Sequence, residues 1–295
     1  MLTIIKTILL GIIEGITEWL PVSSTGHLIL FGQLLQLDMS AEFIEMFNVV
    51  IQLGAILAVV ILFFKKLWPF HMPGKTEKTQ FSVPAKGAAG RFQHFADKYL
   101  YMDKIVMWLK ILVSVLPAVI IGLPLDDWLD EHLYRPVPVA LMLILYGIFF
   151  ILIENRNRGR KPRVRQIRQI TWKDALLIGC FQCLALIPGT SRSGATILGG
   201  ILIGLSRTCA AEYTFYLAIP TMAGASLLKL AKFGTDFTAM ESAVLVIGCI
   251  TAFVVSFFTI RFLMEYVRKH NFKPFAWYRI VLGAVVLVLA AVGIL

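Results

Sequence analysis

The chain has 295 residues, of which 58% are hydrophobic and 16% charged, with mean hydropathy +0.78 and a formal net charge of +10. A soluble domain is typically about 45–50% apolar and about 25% charged, so composition excludes an ordinary water-soluble globule and predicts an all-α polytopic membrane protein. The positive charge is gathered in a few loops, which fits one face of a membrane protein and predicts no nucleic-acid partner.

In chain order, ten apolar segments run over about residues 2–20, 26–37, 43–64, 105–124, 137–153, 173–187, 194–205, 211–231, 241–264 and 275–295. The first reads as mature structure rather than a signal peptide. Glu14 and Glu18 follow its apolar start at once, without a small-x-small cleavage pattern. Segments 43–64, 105–124, 137–153, 211–231, 241–264 and 275–295 are the six expected transmembrane helices, since about 20 residues span a bilayer. Pro117 and Pro220 predict kinks in two of them. Glu45, Asn48 and Gln52 share one helical face and predict an inward polar stripe, as cavity lining or as interhelical hydrogen bonding. The four cysteines lie in apolar segments and read as packing residues; the CxxC at 180–183 lacks a thioredoxin-like setting.

The remaining four segments form two pairs. Each second member is too short to cross, and each pair is broken by a polar stretch, "PVSSTGH" at 21–27 and "PGTSRSG" at 188–194. Two re-entrant hairpins, 2–37 and 173–205, account for both. Irregular backbone is tolerated at membrane depth only where protein or a wet cavity surrounds it. With the first hairpin on the outside, the basic loops 65–104 and 154–172 and the stretch 268–273 all fall on one face. The acidic loop 125–136 falls on the other. The positive-inside rule makes the basic face cytoplasmic and puts both termini outside.

The two hairpins align at a constant offset of 168, which pairs Gly11 with Gly179, Glu14 with Gln182, Ser23 with Ser191, Thr25 with Ser193, Gly26 with Gly194 and Phe47 with Phe215. Each half is a hairpin followed by three spans. Three is odd, so the halves enter from opposite faces, as in an inverted-topology repeat whose broken elements meet near the midplane. The expected organisation is a first repeat at 1–154 with an insert at 65–104, a basic linker at 155–172 and a second repeat at 173–295.

The hairpins carry the chemistry. Glu14 and Glu18 lie one helical turn apart on one face. Two carboxylates in apolar surroundings must find a cation, either a basic side chain or a divalent ion, Mg²⁺ or Ca²⁺, or else serve in proton transfer. Ser23, Ser24 and Thr25 after Pro21, and Ser193 after Arg192, are good helix N-caps. Each hairpin thereby aims a helix N-terminus, an anion site, into the membrane interior. Arg192 has the planar fork that suits phosphate; its partner is Glu14, Glu18, a phosphate, or each in turn. His27 is a candidate general acid or base, and Ser24 or Ser23 a candidate nucleophile.

"EGITEWLPVSSTGH" and "PGTSRSGAT" closely resemble the two signature motifs of the bacitracin-resistance undecaprenyl-diphosphate phosphatases. "FNVVIQLGAILAVV", "GLSRTCAAEYTFYLAIP" and "PFAWYR" also resemble that family, so the likeness covers most of the chain outside 65–104. The resemblance implies a multi-pass enzyme of the bacterial inner membrane. It would remove one phosphate from undecaprenyl diphosphate with the help of a divalent cation, regenerating the lipid carrier for peptidoglycan synthesis. Residue by residue it carries over onto Glu14 and Glu18, onto Ser23, Ser24, Thr25, Gly26 and His27, and onto Ser191, Arg192, Ser193 and Thr196.

The expected reaction has Glu14 and Glu18 acting through a metal, Arg192 and the helix N-termini holding phosphate, and Ser24 attacking with His27 as base; direct attack by water is the rival. Partners are then a polyprenyl diphosphate and the bilayer, with a homo-oligomer left open. Broken helices in an inverted repeat are also a transporter design, so a lipid-phosphate or anion transporter using the same cavity is the alternative.

Overall fold

The structure is a computed structural model that describes residues 1–32, 35–71, 91, 95–96 and 98–295, without the side chains of Asp126, Asp127 and Asp130. Most of the expected insert at 65–104 lies outside the described residues.

The described chain is all-helical. Helix α1 (Leu2–Thr17) is followed by a turn and the short α2 (Ser24–Gly32). Helices α3 (Ala41–Val50) and α4 (Gln52–Leu62) form one apolar stretch of 22 residues, interrupted at Ile51, and the short α5 (Phe64–Leu67) follows. Then come α6 (Met102–Leu133), α7 (Pro136–Arg156), α8 (Trp172–Cys183), α9 (Arg192–Leu202), α10 (Arg207–Phe233), α11 (Ala239–Lys269) and α12 (Lys273–Ala291). Six stretches among the described residues are long and apolar enough to cross a membrane: 41–62, 102–125, 136–156, 207–233, 239–269 and 273–291. They coincide with the six expected spans.

Two expectations need correcting. The acidic stretch 125–136 is not a simple loop, because α6 continues through it to Leu133 despite Pro117 and Pro124. A proline late in a helix removes one backbone bond but leaves the following turns intact. The polar stripe also divides. Gln52 lines a cavity, whereas Glu45 is exposed rather than inward and makes an interhelical hydrogen bond, accepting from Lys229 of α10 at 2.5 Å, which is the other role expected of the stripe.

The ends of the later helices follow local rules. Thr171 and Asp174 close a capping box at the start of α8, and Thr238 and Glu241 do so for α11. Pro136 occupies the first position of α7, where its missing N–H is not needed. Gly234, at φ 93°, stops α10.

Packing is reciprocal between the halves. Helix α1 lies on α11 and α8 lies on α6, while α7 and α12 pack on each other. Close approach needs small residues at the crossings. A Cβ on Gly11 would come within 2.8 Å of Thr251, and one on Gly179 within 2.5 Å of the Ser114 carbonyl oxygen.

Candidate active site

The two polar loops have the same backbone. Ser23 and Ser191 have φ of 74° and 71°, the only non-glycine residues at positive φ among the described residues. That region costs an L-residue roughly 1–2 kcal/mol. Each hydroxyl accepts a hydrogen bond from the amide three residues on, Gly26 at 3.3 Å and Gly194 at 3.2 Å. Thus Ser191, not the expected Ser193, caps the second short helix. Capping requires a side chain placed before the first helical turn, and Ser193 already lies inside it.

Ser193 instead joins the loops. Its hydroxyl donates towards the carbonyls of Glu18 and Leu20, at 3.0 and 3.3 Å. This brings Glu18 to Arg192: Glu18 Oε1 accepts from the guanidinium Nη2 at 2.9 Å and Nε at 3.3 Å. Glu18 Oε2 accepts from the Ser24 hydroxyl at 3.0 Å. Arg192 also donates to the Thr214 carbonyl at 3.1 Å and lies 5.7 Å from the centre of the Trp19 ring. Glu18, Ser24, Thr25, Gln52, Ser191 and Arg192 share one cavity of about 210 Å³.

Other expected residues lie behind this cavity. Glu14 is fully buried, and neither carboxylate oxygen finds a hydrogen-bond partner. Glu18 and Arg192 act on it through their charges, and the Gln52 amide approaches it without completing a well-formed hydrogen bond. Thr196 is buried against the Thr214 hydroxyl at 2.9 Å. Gly26 packs on Leu143, with only 2.9 Å between that side chain and any added Cβ. His27 is turned away from Ser24. Its Nδ1 donates to the Ser23 carbonyl at 2.7 Å, which leaves Nε2 to accept from the Tyr278 hydroxyl at 2.7 Å. The base expected beside Ser24 is therefore not in hydrogen-bond contact with it; Glu18 is. Residues three apart are neighbours on a helix, so the separation comes from the partners of the ring: the Ser23 carbonyl and Tyr278 of α12 take both of its nitrogens.

Three residues outside the expected site set also matter, of which only Gln182 was named from the sequence, as the repeat counterpart of Glu14. Arg279 on α12 is completely buried and donates to the carbonyls of Gly189 and Thr190, each at 2.9 Å, and of Pro21 at 3.3 Å. One guanidinium thus ties both loops together. Tyr278 beside it holds His27. Gln182, the counterpart of Glu14, is buried and lines the cavity, and neither amide atom has a partner. The signal for Arg279 was present, since an arginine within an apolar span needs an internal partner.

Among the described residues, no group of three or more His, Cys, Asp or Glu side chains comes together to hold a metal. The hard-oxygen donors at the site are the carboxylates of Glu14 and Glu18 and the amide oxygens of Gln52 and Gln182.

Comparison with known proteins was informative over nearly the whole chain. The profile of the family described as bacitracin resistance protein BacA matches residues 7–285. A protein of Enterococcus faecalis named undecaprenyl-diphosphatase is 53% identical, covering 98% of both chains. One of Desulfitobacterium hafniense with the same name is 54% identical, over 97% of this chain and 96% of its own. One of Acetivibrio thermocellus, also so named, is 51% identical over 97% of each.

Proposed function

The chain belongs to the bacitracin resistance protein BacA family, and on that premise we propose that it is an undecaprenyl-diphosphatase whose reaction centres on Glu18, Ser24 and Arg192. The observation that carries the assignment of residues is the chain of contacts from Arg192 to Glu18 to Ser24, lining one cavity between the two short helices.

The substrate is a phosphoanhydride at the end of a lipid. Its tail stays in the bilayer while the diphosphate enters the cavity. Arg192 exchanges part of its contact with Glu18 for the phosphate oxygens and stabilises the charge that spreads over them. The first turns of α2 and α9 add backbone N–H groups and the positive ends of their dipoles. Once Arg192 has turned to phosphate, Glu18 is freed to take the Ser24 proton. The Ser24 oxygen then bonds to the terminal phosphorus in line, and the bridging P–O bond breaks; Glu18 passes its proton to the departing phosphate oxygen, releasing undecaprenyl phosphate and restoring the Glu18 carboxylate. Water next attacks the phosphoserine. Its proton passes to Glu18 and on to the Ser24 oxygen as phosphate leaves. His27 acts as a positioning residue: through the Ser23 carbonyl it holds the strained turn that presents Ser24.

Glu14 fits a divalent cation. Its two oxygens are buried without partners, and such ions favour carboxylate and amide oxygens. Glu14 and Glu18, with Gln52, are the residues that would hold it; a bound ion supplies charge neutralisation at the transferred phosphate.

The same reading makes 2–37 and 173–205 re-entrant hairpins of an inverted-topology repeat, with the basic face cytoplasmic and both termini outside. The matched turns at Ser23 and Ser191 and the reciprocal packing of α1 on α11 and α8 on α6 support it.

Phosphate release from undecaprenyl diphosphate by the purified protein in detergent tests the assignment. Activity is expected without a membrane gradient, lost in Ser24→Ala and suppressed by a chelator. A phosphoserine trapped at Ser24 supports the covalent route. Normal turnover by Ser24→Ala overturns it in favour of direct attack by water. Transport without phosphate release overturns the phosphatase reading in favour of a transporter.

A further inference from the structure

Helix α9 connects the catalytic cavity to a second concave surface. Arg192 opens the helix at the first cavity; Ile201 and Leu202 close it against another, of about 400 Å³. The ten steps from Arg192 to Leu202 separate the two by about 15 Å at 1.5 Å per residue. Among the described residues, none lines both cavities. The second lies where α7 ends, α10 begins and α11 ends. Among its lining residues are Arg160, Lys161, Arg163, Arg207 and Arg268.

A basic face alone does not require a cavity, but here the backbone builds one. The linker before α8 is tied to the turn after α9: the amides of Arg163 and Val164 donate to the Gly204 carbonyl at 2.8 and 3.1 Å, and the Ser206 amide donates to the Val164 carbonyl at 2.8 Å. Gly204, at φ 101°, makes that turn. Two of the five cations have structural partners. Arg163 pairs with Asp174 at 2.5 Å, and Arg207 forms a two-pronged pair with the buried Glu154. Arg160, Lys161 and Arg268 are exposed and have no carboxylate partner among the described residues. The walls are thus braced by ion pairs, while three cations face solvent without neutralisation. A basic pocket between span ends at a membrane interface is the setting in which anionic headgroups are held, and arginine forks suit phosphate oxygens.

We propose that this cavity is a phosphate-group binding site separate from the catalytic one. An anionic phospholipid headgroup is the source of such a group at the membrane surface, and inorganic phosphate the source in solution. The proposal does not depend on the phosphatase reading, because its readout is binding.

The test compares the full chain with two triple variants. Arg160→Gln/Lys161→Gln/Arg268→Gln empties the cavity of its unpaired charge. Arg156→Gln/Arg158→Gln/Arg165→Gln removes equal charge from the same face outside the cavity. All six side chains are exposed, and thermal unfolding checks that both variants fold. Each protein is held in micelles with equal phosphatidylglycerol and phosphatidylcholine, and retained lipid is read by native mass spectrometry. The unvaried protein and the outer variant are expected to keep phosphatidylglycerol selectively. Each cation near an anionic lipid contributes roughly five-fold, so the cavity variant should lose about 100-fold in retention. If no lipid is kept but inorganic phosphate raises the melting temperature of all but the cavity variant, the site stands with a soluble ligand. Equal loss in both triple variants, or neither lipid preference nor phosphate stabilisation, overturns it.

Discussion

At Ser23 and Ser191 the backbone turns the same way, each hydroxyl caps the amide three residues on, and a short helix begins at the next residue. There the likeness stops. The first of these helices begins with Ser24 and the second with Arg192. One turn of helix away, the counterpart of Ala195 is His27, and on the preceding arms the counterpart of Gln182 is Glu14. The local turn is repeated, and the polar side chains differ between its two occurrences. The physical reason lies in the site itself. Two arginines facing each other would repel, and two serines would leave a phosphate without a counter-charge. Opposite loops that differ let a carboxylate–hydroxyl pair meet a guanidinium.

Removing the cation should break this division most severely. Loss of one preorganised donor commonly lowers turnover by about 10²–10³-fold, and Arg192→Ala is expected to do so in the phosphate-release assay, with Arg192→Lys intermediate. Normal activity in Arg192→Ala would mean that the second loop has no part in the reaction. Arg279→Met should affect both loops at once. It leaves the carbonyls of Pro21, Gly189 and Thr190 without their donor, at about 1–3 kcal/mol for each buried group so stranded. A large fall in melting temperature together with lost activity is expected, with partial rescue in Arg279→Lys.

Smaller changes sharpen the comparison. Gly179→Ala should destabilise more than Gly11→Ala, by about 1–3 kcal/mol, because its Cβ would come within 2.5 Å of the Ser114 carbonyl oxygen and meet only backbone, whereas at Gly11 the tightest contact is the Thr251 side chain at 2.8 Å and the Gly248 oxygen lies at 3.0 Å. Equal melting temperatures for the two would argue against that packing. Ser191→Gly relieves positive φ and should hold or raise the melting temperature, whereas Ser191→Ala keeps the strain and loses a cap worth about 1 kcal/mol. Ser23 should behave alike; opposite signs at the two serines would disprove the shared frame.

The smallest effect concerns only the second half. Burial pushes the Asp174 carboxyl up, but hydrogen bonds from Arg163 and Thr171 outweigh it and hold it below the ordinary carboxylate value. Its ionised form therefore stabilises the fold above the unfolded carboxylate pKa, about 3.9, and that contribution fades as pH falls through the lowered native value. Acid unfolding followed in Asp174→Asn should show less of this loss.

Much of this organisation was legible in the sequence. Apolar run length located all six helices that are long and apolar enough to cross a membrane, because bilayer thickness sets that length. The offset of 168 matched Ser23 to Ser191 before their shared turn was known. The polar breaks, costly in an apolar setting, marked where Glu18, Ser24 and Arg192 would be found. Spacing along the chain could not say which side chains meet across it. Arg192 takes Glu18 rather than Glu14, and Ser24 takes Glu18 rather than His27, because Ser193 draws the first loop against α9 while α12 brings Tyr278 to His27. The need of Arg279 for an internal partner could be read from its apolar span, but which carbonyls it supports, one of them 90 residues away, was decided only by the packing of α12 on α7. Periodicity and cost decide where polar groups sit along a helix; the packing of distant helices decides which of them touch.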